Sequence, residues 1–374
     1  MVHDLLNALD QPHDCEDDMT QLKTPHFVFS RFATVLALGL LAGCGASHAA
    51  LEAEPGNDSG PGPGDDAGSD SQNSVTEVTL DPPASAELGW QYEVPAFSVD
   101  PGTEVQQCFF FTVPTDVAAF VNRIEIAQTT GTHHMNIFRM RTVKLLDGAN
   151  GDVVRDGECW KPTNWSDWPL VINSQNEGHV DFHLPIGVAH KFQAGEKLML
   201  QTHYVNATTQ KTPSVGRVLV NFNRLPENQV TAELGTAFAT NQNIRVCPGD
   251  VEHRFETTCS FARHDVTIFG ANGHFHSRGR LFTMSVFNPT GAETAPFYEN
   301  RDWAEPLFEK NIGAAVPSGG GIRYSCEFTV APTECGDVND ECCFTFGGKV
   351  EFQEHCNAFV YYYPANGTSD VNCF

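Results

Sequence analysis

From Gly89 onward the chain consists of short runs in which apolar and polar residues alternate, separated by turn residues such as Gly, Pro, Asn and Asp. Neighbouring side chains on a strand point to opposite faces, so a period of two describes a strand with one face buried. Residues 107–113, 121–126, 197–205 and 216–222 read this way. A second series, 265–269, 280–287, 322–329 and 357–363, follows the polar stretch 223–229. Helical periodicity is scarce, and 32 Gly and 22 Pro supply the turns that many short strands need. Strands at this spacing pack as sandwiches rather than as one parallel sheet. The 374 residues suffice for two ordinary domains once a leader is set aside. The expectation is an all-β protein with one sandwich over 86–226 and another over 227–374, about 140 residues each.

The leader occupies residues 1–44. Phe32 to Leu41 (FATVLALGLL) is apolar, follows Lys23 and Arg31, and is too short to span a bilayer comfortably, which describes a signal peptide. It runs into Leu41-Ala42-Gly43-Cys44, which is similar to a bacterial lipobox, where the cysteine is lipidated and becomes the mature N-terminus. Ordinary cleavage after Ala49 or Ala50 is the alternative. An acidic stretch from Asp4 to Asp18 precedes the basic residues, so a start at Met19 would give a conventional leader. Residues 45–85, which include PGNDSGPGPGDDAGSDSQNS, carry too little apolar surface to repay ordering and read as a disordered tether. Together these segments place the protein outside the cytoplasm on a bacterial cell envelope, held to the membrane by lipid alone. The net charge of -25 excludes nucleic acid, which needs basic surface to displace counterions.

Two histidine clusters carry the chemistry. The first is His133-His134 in Thr132-His133-His134-Met135. Adjacent residues of a regular strand face opposite ways, so both rings can meet one metal only if the backbone bulges there. His203, at the end of an apolar strand, is a third candidate. The second cluster, Gly273-His274-Phe275-His276, has the i, i+2 spacing that puts two rings on one face of a strand. Imidazoles without a nearby thiolate suit copper or zinc. His179, His183 and His190 are crowded but read as a solvated loop, and Trp160, Trp165 and Trp168 read as packing residues.

The chain from about Gln106 to Pro364 resembles the copper type II, ascorbate-dependent monooxygenases, the family of peptidylglycine α-hydroxylating monooxygenase and dopamine β-hydroxylase. The resemblance rests on VQQCFFFTVP, THHMNIF, LMLQTHYVN, GHFHSRGR and FGGKVEFQEHCNAFVYYYPA, in that order and spacing. It implies two tandem jelly-roll domains, each holding one copper across an open cleft. His133, His134 and His203 would bind the electron-transfer copper. His274 and His276 would bind the catalytic copper, with Gln201 an intermediary for the electron. The family's third catalytic ligand is a methionine in an E-M-C string. Here the string is Glu354-His355-Cys356, so His355 takes the slot, and an all-imidazole site favours Cu(II) more than one with a thioether does. Peptide-amidating members hold a substrate carboxylate with an arginine and a tyrosine where this chain has Asn272 and Phe359; Asn357 matches a substrate-binding residue. Without that charge-assisted anchor, peptide amidation is not expected. The resemblance also implies a disulfide between Cys326 and Cys356.

Ten cysteines lie between Cys108 and Cys373, an even number that suits disulfides in an oxidising compartment. Of Cys335, Cys342 and Cys343 at least one pairs locally, Cys373 reaches back to Cys247 or Cys259, and Cys108 with Cys159 is the simplest remainder. The expected activity is hydroxylation of an aliphatic C–H of a small molecule. It would use O2, two coppers per chain, and ascorbate or another one-electron reductant. A non-catalytic copper-binding envelope lipoprotein on the same scaffold is the rival reading.

Overall fold

The computed structural model describes residues 78–374, apart from 142–152, 156–167, 177, 207–212, 250–252, 337–340 and 367–369. Lipidation at Cys44, the signal segment, the tether up to residue 77, Cys159, Trp160 and Trp165 lie outside the described residues. All eight segments marked by alternation are strands, and the only helix among the described residues is one 3-10 turn, Glu227–Gln229. Among the described residues no helix is long and apolar enough to cross a membrane.

The first ten strands are β1 (Gly89–Val99), β2 (Thr103–Thr112), β3 (Ala119–Gln128), β4 (Thr132–Arg139), β5 (Val153–Arg155), β6 (Leu170–Ser174), β7 (Gly178–His183), β8 (Val188–Phe192), β9 (Lys197–Asn206) and β10 (Ser214–Arg224). After the 3-10 turn come β11 (Ala232–Glu233), β12 (Gly235–Thr240), β13 (Arg245–Val246), β14 (His253–Ser260), β15 (Val266–His274), β16 (Gly279–Phe287) and β17 (Tyr298–Asn300). The last six are β18 (Glu309–Val316), β19 (Gly321–Phe328), β20 (Phe344–Phe346), β21 (Gln353–Glu354), β22 (Asn357–Tyr363) and β23 (Val371–Cys373).

Strands before the 3-10 turn build a sheet in the order β1-β10-β3-β8-β11, with β7 beside β3, and a second in the order β5-β2-β9-β4-β6. Strands after it build β18-β15-β22-β12-β23, β14-β19-β16-β17 and the small β13-β20-β21. Each larger pair of sheets closes on its own apolar layer. Trp90, Val94, Ile126 and Phe222 meet Phe109, Ile137 and Leu200 in the first layer. Ile268 and Val360 meet Phe282, Met284 and Tyr324 in the second. Phe238, Phe269, Phe359 and Tyr361 come from the later strands yet pack in the first layer, so the two halves share buried surface. The hydroxyl of Tyr361 accepts a hydrogen bond from the backbone N–H of Asn173, 2.8 Å away, which pins β6 against β22.

The folded chain begins earlier than residue 86. Asn221 donates to the carbonyl of Asp81 (2.8 Å), Gln91 to that of Leu80 (2.7 Å) and Arg217 to that of Val78 (3.3 Å). Side-chain amides and a guanidinium thus satisfy backbone groups that composition alone would leave solvated.

Four disulfides join described residues: Cys247–Cys343, Cys259–Cys373, Cys326–Cys356 and Cys335–Cys342. They settle the open choice for Cys373 in favour of Cys259, supply the local pair at Cys335, and include the expected Cys326–Cys356. Cys108 is also disulfide-bonded. The Cys326–Cys356 bridge ties β19 to the residue that follows His355 and closes a separation of 30 residues. By loop entropy such a bridge stabilises by about 3–4 kcal/mol. The paired substitution Cys326→Ser with Cys356→Ser should lower unfolding free energy by roughly that amount; denaturant melts of both proteins check it, and an unchanged midpoint would count against the bridge.

Candidate metal centre

Three local devices aim histidines at one place. At the first, the β4–β9 ladder slips: Thr132 pairs with Tyr204 and His134 with His203, so His133 is the extra residue of a bulge. The bulge expected for an adjacent pair is present, and the two rings lie with centroids 5.3 Å apart. Register also puts His203 of β9 directly opposite His134. At the second, β15 ends at His274, so His276 lies two residues beyond the strand instead of on its face; the rings are nonetheless 5.2 Å apart. At the third, His355 occupies the two-residue gap between β21 and β22, 4.5 Å from His276 in ring centroids.

The six rings do not form two sets facing across an open cleft. The His133 ring lies 5.0 Å from that of His274 and 5.5 Å from that of His276, comparable with its 5.1 Å from His203. Two triads bring their ligand atoms within 4.8 Å of one another: His133 with His134 and His274, and His274 with His276 and His355. His274 belongs to both. His203, expected in the first set, stands beside it, with its ring 4.9 Å from that of His134.

Hydrogen bonds on the outer ring nitrogens determine which nitrogens face inward. His276 Nδ1 lies 2.8 Å from the carbonyl of Gln353, which can only accept, so Nδ1 carries the proton and Nε2 keeps its lone pair. His203 Nε2 donates in the same way to the Glu104 carboxylate at 2.9 Å, leaving Nδ1 bare. His274 Nδ1 meets Gln175 Oε1 at 2.7 Å, and its Nε2 faces His355 Nδ1 at 3.1 Å. Two ligand nitrogens about 2.0 Å from one ion at a near-tetrahedral angle stand about 3.3 Å apart. Nε2 of His133, Nδ1 of His203 and Nε2 of His276 are buried and make no hydrogen bond. Buried acceptors normally find a donor; bare imidazole lone pairs that converge without one suit a cation. The donor set fits copper or zinc.

None of the six rings is more than 6% exposed, and burial keeps five of them, His133, His134, His274, His276 and His355, neutral, because water cannot solvate an imidazolium there. Burial and then the neighbouring imidazoles hold His133, His134, His274 and His355 well below the ordinary histidine value, and burial brings His276 to about 3. Glu354, wholly buried beneath them, is pushed up to about 8 by desolvation, against the backbone N–H groups of Arg278 and His276 that it accepts at 3.0 and 2.9 Å. Burial is the strongest single influence on Glu104 and raises it, but the hydrogen bond and charge of His203, the Val350 N–H and the charge of His276 together outweigh it and leave the carboxyl below its usual range.

A row of amides borders the rings. Gln201 of β9 stands opposite Asn136 of β4, which stands opposite Asn173 of β6. Asn136 Nδ2 donates to Gln201 Oε1 (3.0 Å), Asn173 Nδ2 to Asn136 Oδ1 (2.6 Å), and Gln175 Nε2 to Asn173 Oδ1 (3.1 Å). Gln175 then reaches His274, and Gln201 lines the same small cavity as His134, so uncharged amides lie between the two triads. Gln201 and Asn357, with His134, His274 and His355, line a cavity of 20 Å3, room for about one water.

Glu104, Gln175, Asn136 and Asn173 were not legible as site residues, because nothing in their local strings marks them. Gln201 was named only through the family resemblance; it lies two residues before His203 on the same strand. The three histidines assigned to a solvated loop need correction. His179 and His183 are exposed, but on β7. His190 is on β8 with no exposed surface, and burial brings it to about 3. Trp168 is a core residue, as expected.

No family model matches the sequence, and no curated protein matches it. Among solved structures, one described as the triple jelly roll fold and turret assembly in an archaeal virus aligns with 73% of this chain and 59% of its own at 7% identity, TM-score 0.18. PBSX exported protein XepA aligns over 72% and 86% at 7% identity, TM-score 0.20. The infectious bursal disease virus VP2 subviral particle aligns over 78% and 76% at 12% identity, TM-score 0.20. Likeness at this level carries no argument about function.

The neutral cluster has a pH signature. A histidine whose folded value lies below about 6.5 binds its proton first in the unfolded chain. It therefore withdraws stability as pH falls from about 6.5 towards its folded value. For His276, moving from 6.5 to about 3, this is on the order of 5 kcal/mol. Glu354 has the opposite sign: its raised value favours the fold below about 4.5 and loses that contribution as pH rises through about 8. One carboxyl opposes several imidazoles, so the metal-free protein should unfold cooperatively as pH falls between about 6 and 4. Circular dichroism across that range checks it; a flat profile would show that the rings are not buried neutral.

Proposed function

We propose that the protein is a copper-dependent monooxygenase that hydroxylates an aliphatic C–H of a small molecule, with O2 and an external one-electron reductant such as ascorbate. The observation that carries the reading is the pair of buried histidine triads whose ligand atoms lie within 4.8 Å of one another, with bare nitrogens on His133 and His276, within strings that resemble the family in order and spacing. In this reading the two sandwiches are tandem jelly rolls and the chain is tethered to a bacterial envelope through Cys44. Its described disulfides agree with an oxidising compartment.

His274, His276 and His355 would hold the catalytic copper, and His133, His134 and His203 the second. His274 presents a single inward nitrogen, so it serves one ion at a time. Bound copper would supply the activation of O2 by which one oxygen atom enters a C–H bond. The balance is R–H, O2, two electrons and two protons giving R–OH and water. Around the metal the chain's own groups set ligand orientation: Gln353 and Gln175 hold the outer nitrogens of His276 and His274, and Glu354 fixes the backbone that carries His276. Gln201 and Asn136, hydrogen-bonded between the triads, are placed to mediate the electron. Asn357 would meet substrate only if the cavity it lines widens, since its present volume is 20 Å3.

That closure, together with histidine in place of methionine at 355, favours one rival: a protein that sequesters or delivers copper without turnover. Loading with copper and measuring reductant-dependent O2 consumption over a panel of small substrates separates the two. Substrate-stimulated consumption is expected; two coppers per chain with no such turnover would leave the sequestering role. His355→Ala should lower bound copper from two to one per chain and change the copper spectra, while a full complement with unchanged spectra would remove His355 from the ligand set.

A further inference from the structure

Of the four bridges between described residues, one differs from the rest. Cys335–Cys342 closes a separation of 7 residues, against 30, 96 and 114 for the others, so by loop entropy it constrains the unfolded chain least. Cys335 is exposed and Cys342 half-buried. Each other bridge has at least one buried cysteine: Cys343, Cys259, or both Cys326 and Cys356. A dissolved thiol therefore reaches Cys335–Cys342 most readily. The next residue, Cys343, belongs to a different bridge, with Cys247. Cys342, caught between the two bridges, holds a left-handed backbone (φ 55°), which a non-glycine residue keeps only where its surroundings impose it.

The segment gathered by this bridge leads to the metal centre. Glu334, beside Cys335, meets the Arg278 guanidinium at 3.4 Å. The same guanidinium lies 4.2 Å over the ring of Phe344, which follows Cys343, and donates through Nη1 to the Val350 carbonyl at 2.8 Å. The backbone N–H of Arg278 donates to Glu354, the carboxyl that also holds the N–H of His276. From Phe344, β20 runs beside β21, with Thr345 opposite Gln353 and Phe346 opposite Glu354. The Phe346 ring lies 5.0 Å from that of His355, and the Gln353 carbonyl fixes His276. Arg278 is thus clamped by residues on both sides of the bridge, two positions from a ligand.

We propose that Cys335–Cys342 is a thiol–disulfide exchange site for a dithiol, and that opening it loosens the hold of His276 and His355 on the metal. A thiolate of the dithiol attacks the exposed sulfur, Cys335 Sγ, and Cys342 leaves as a thiolate and takes up a proton. The second thiol of the reagent then displaces Cys335. Two electrons and two protons pass to the two cysteines, and the dithiol becomes a disulfide. With the bond gone, Cys342 relaxes from its left-handed backbone. Glu334 is no longer tied to the segment carrying Phe344, and Arg278 loses its clamp. Cys247–Cys343 stays closed and keeps β20 docked on β13. The consequence for metal rests on the copper reading; the exchange chemistry does not.

The test begins with limited dithiothreitol treatment of the full chain, then alkylation, removal of the reagent before any metal is added, and peptide mass mapping. Alkylation should fall on Cys335 and Cys342 first. In the metal-free capped protein, amide hydrogen exchange at His276 and Arg278 should quicken at least tenfold relative to the untreated chain. The paired substitution Cys335→Ser with Cys342→Ser should match the capped protein. After copper loading, a chelator should strip one of the two coppers at least tenfold faster from the capped and serine forms than from the oxidised one. Alkylation first at another cysteine, exchange at His276 and Arg278 indifferent to the bridge, or equal copper release from all forms would overturn the inference. An exchange difference in a chain that takes up no copper keeps the thiol site and removes the copper reading.

Discussion

The hydrogen bonds on the outer nitrogens of His203, His274 and His276 determine what the rest of the site can be. A neutral imidazole has one N–H and one lone pair, so committing the N–H outward to Glu104, Gln175 or the Gln353 carbonyl obliges the lone pair to turn inward. Several inward lone pairs at van der Waals range repel unless something positive lies among them. In a buried site a proton is too costly to hold there, since the same burial holds His133 and His274 well below the ordinary value. The scaffold therefore carries an electrostatic demand that suits a cation, and in the proposed reading copper answers it.

Each inward ring is buttressed from a different element. Glu104 comes from β2, Gln175 from the end of β6, and Gln353 from β21. The centre thus depends on packing between strands rather than on any one loop, and the Cys326–Cys356 bridge holds the segment next to His355 against β19. Glu354 shows what that arrangement costs. It is a carboxyl with no exposed surface, kept because its oxygens organise the backbone N–H groups of His276 and Arg278. Second-layer groups of this kind commonly tune a metal's ligands.

The amide row runs between the two triads. One end, Gln201, lines the small cavity beside His134, and the other bonds to His274 through Gln175. Its members are uncharged, so they add polarity between the triads without adding a charge that would need its own partner. Two members of the same row, Asn173 and Gln175, also line a larger cavity, where Asn272 donates to Asn173.

Local pattern in the sequence determined the strands, because alternation with period two is a property of neighbours. It determined the bulge at His133 for the same reason: two adjacent rings cannot face one way on a regular strand. It also supplied the ligand chemistry, six histidines in strings resembling a copper family. What it could not carry was distance. Glu104 meets His203, Gln175 meets His274 and Asn272 meets Asn173 at 99 residues' separation in each case, and no local string marks those pairs. Tertiary packing alone decided that the two halves close until His274 serves both triads, since Tyr361 and the shared apolar layer draw β6 onto β15 and β22. It also decided that residues 78–85, which composition assigned to a tether, lie bonded along the first sheet, because side-chain donors on β1 and β10 were waiting for their carbonyls.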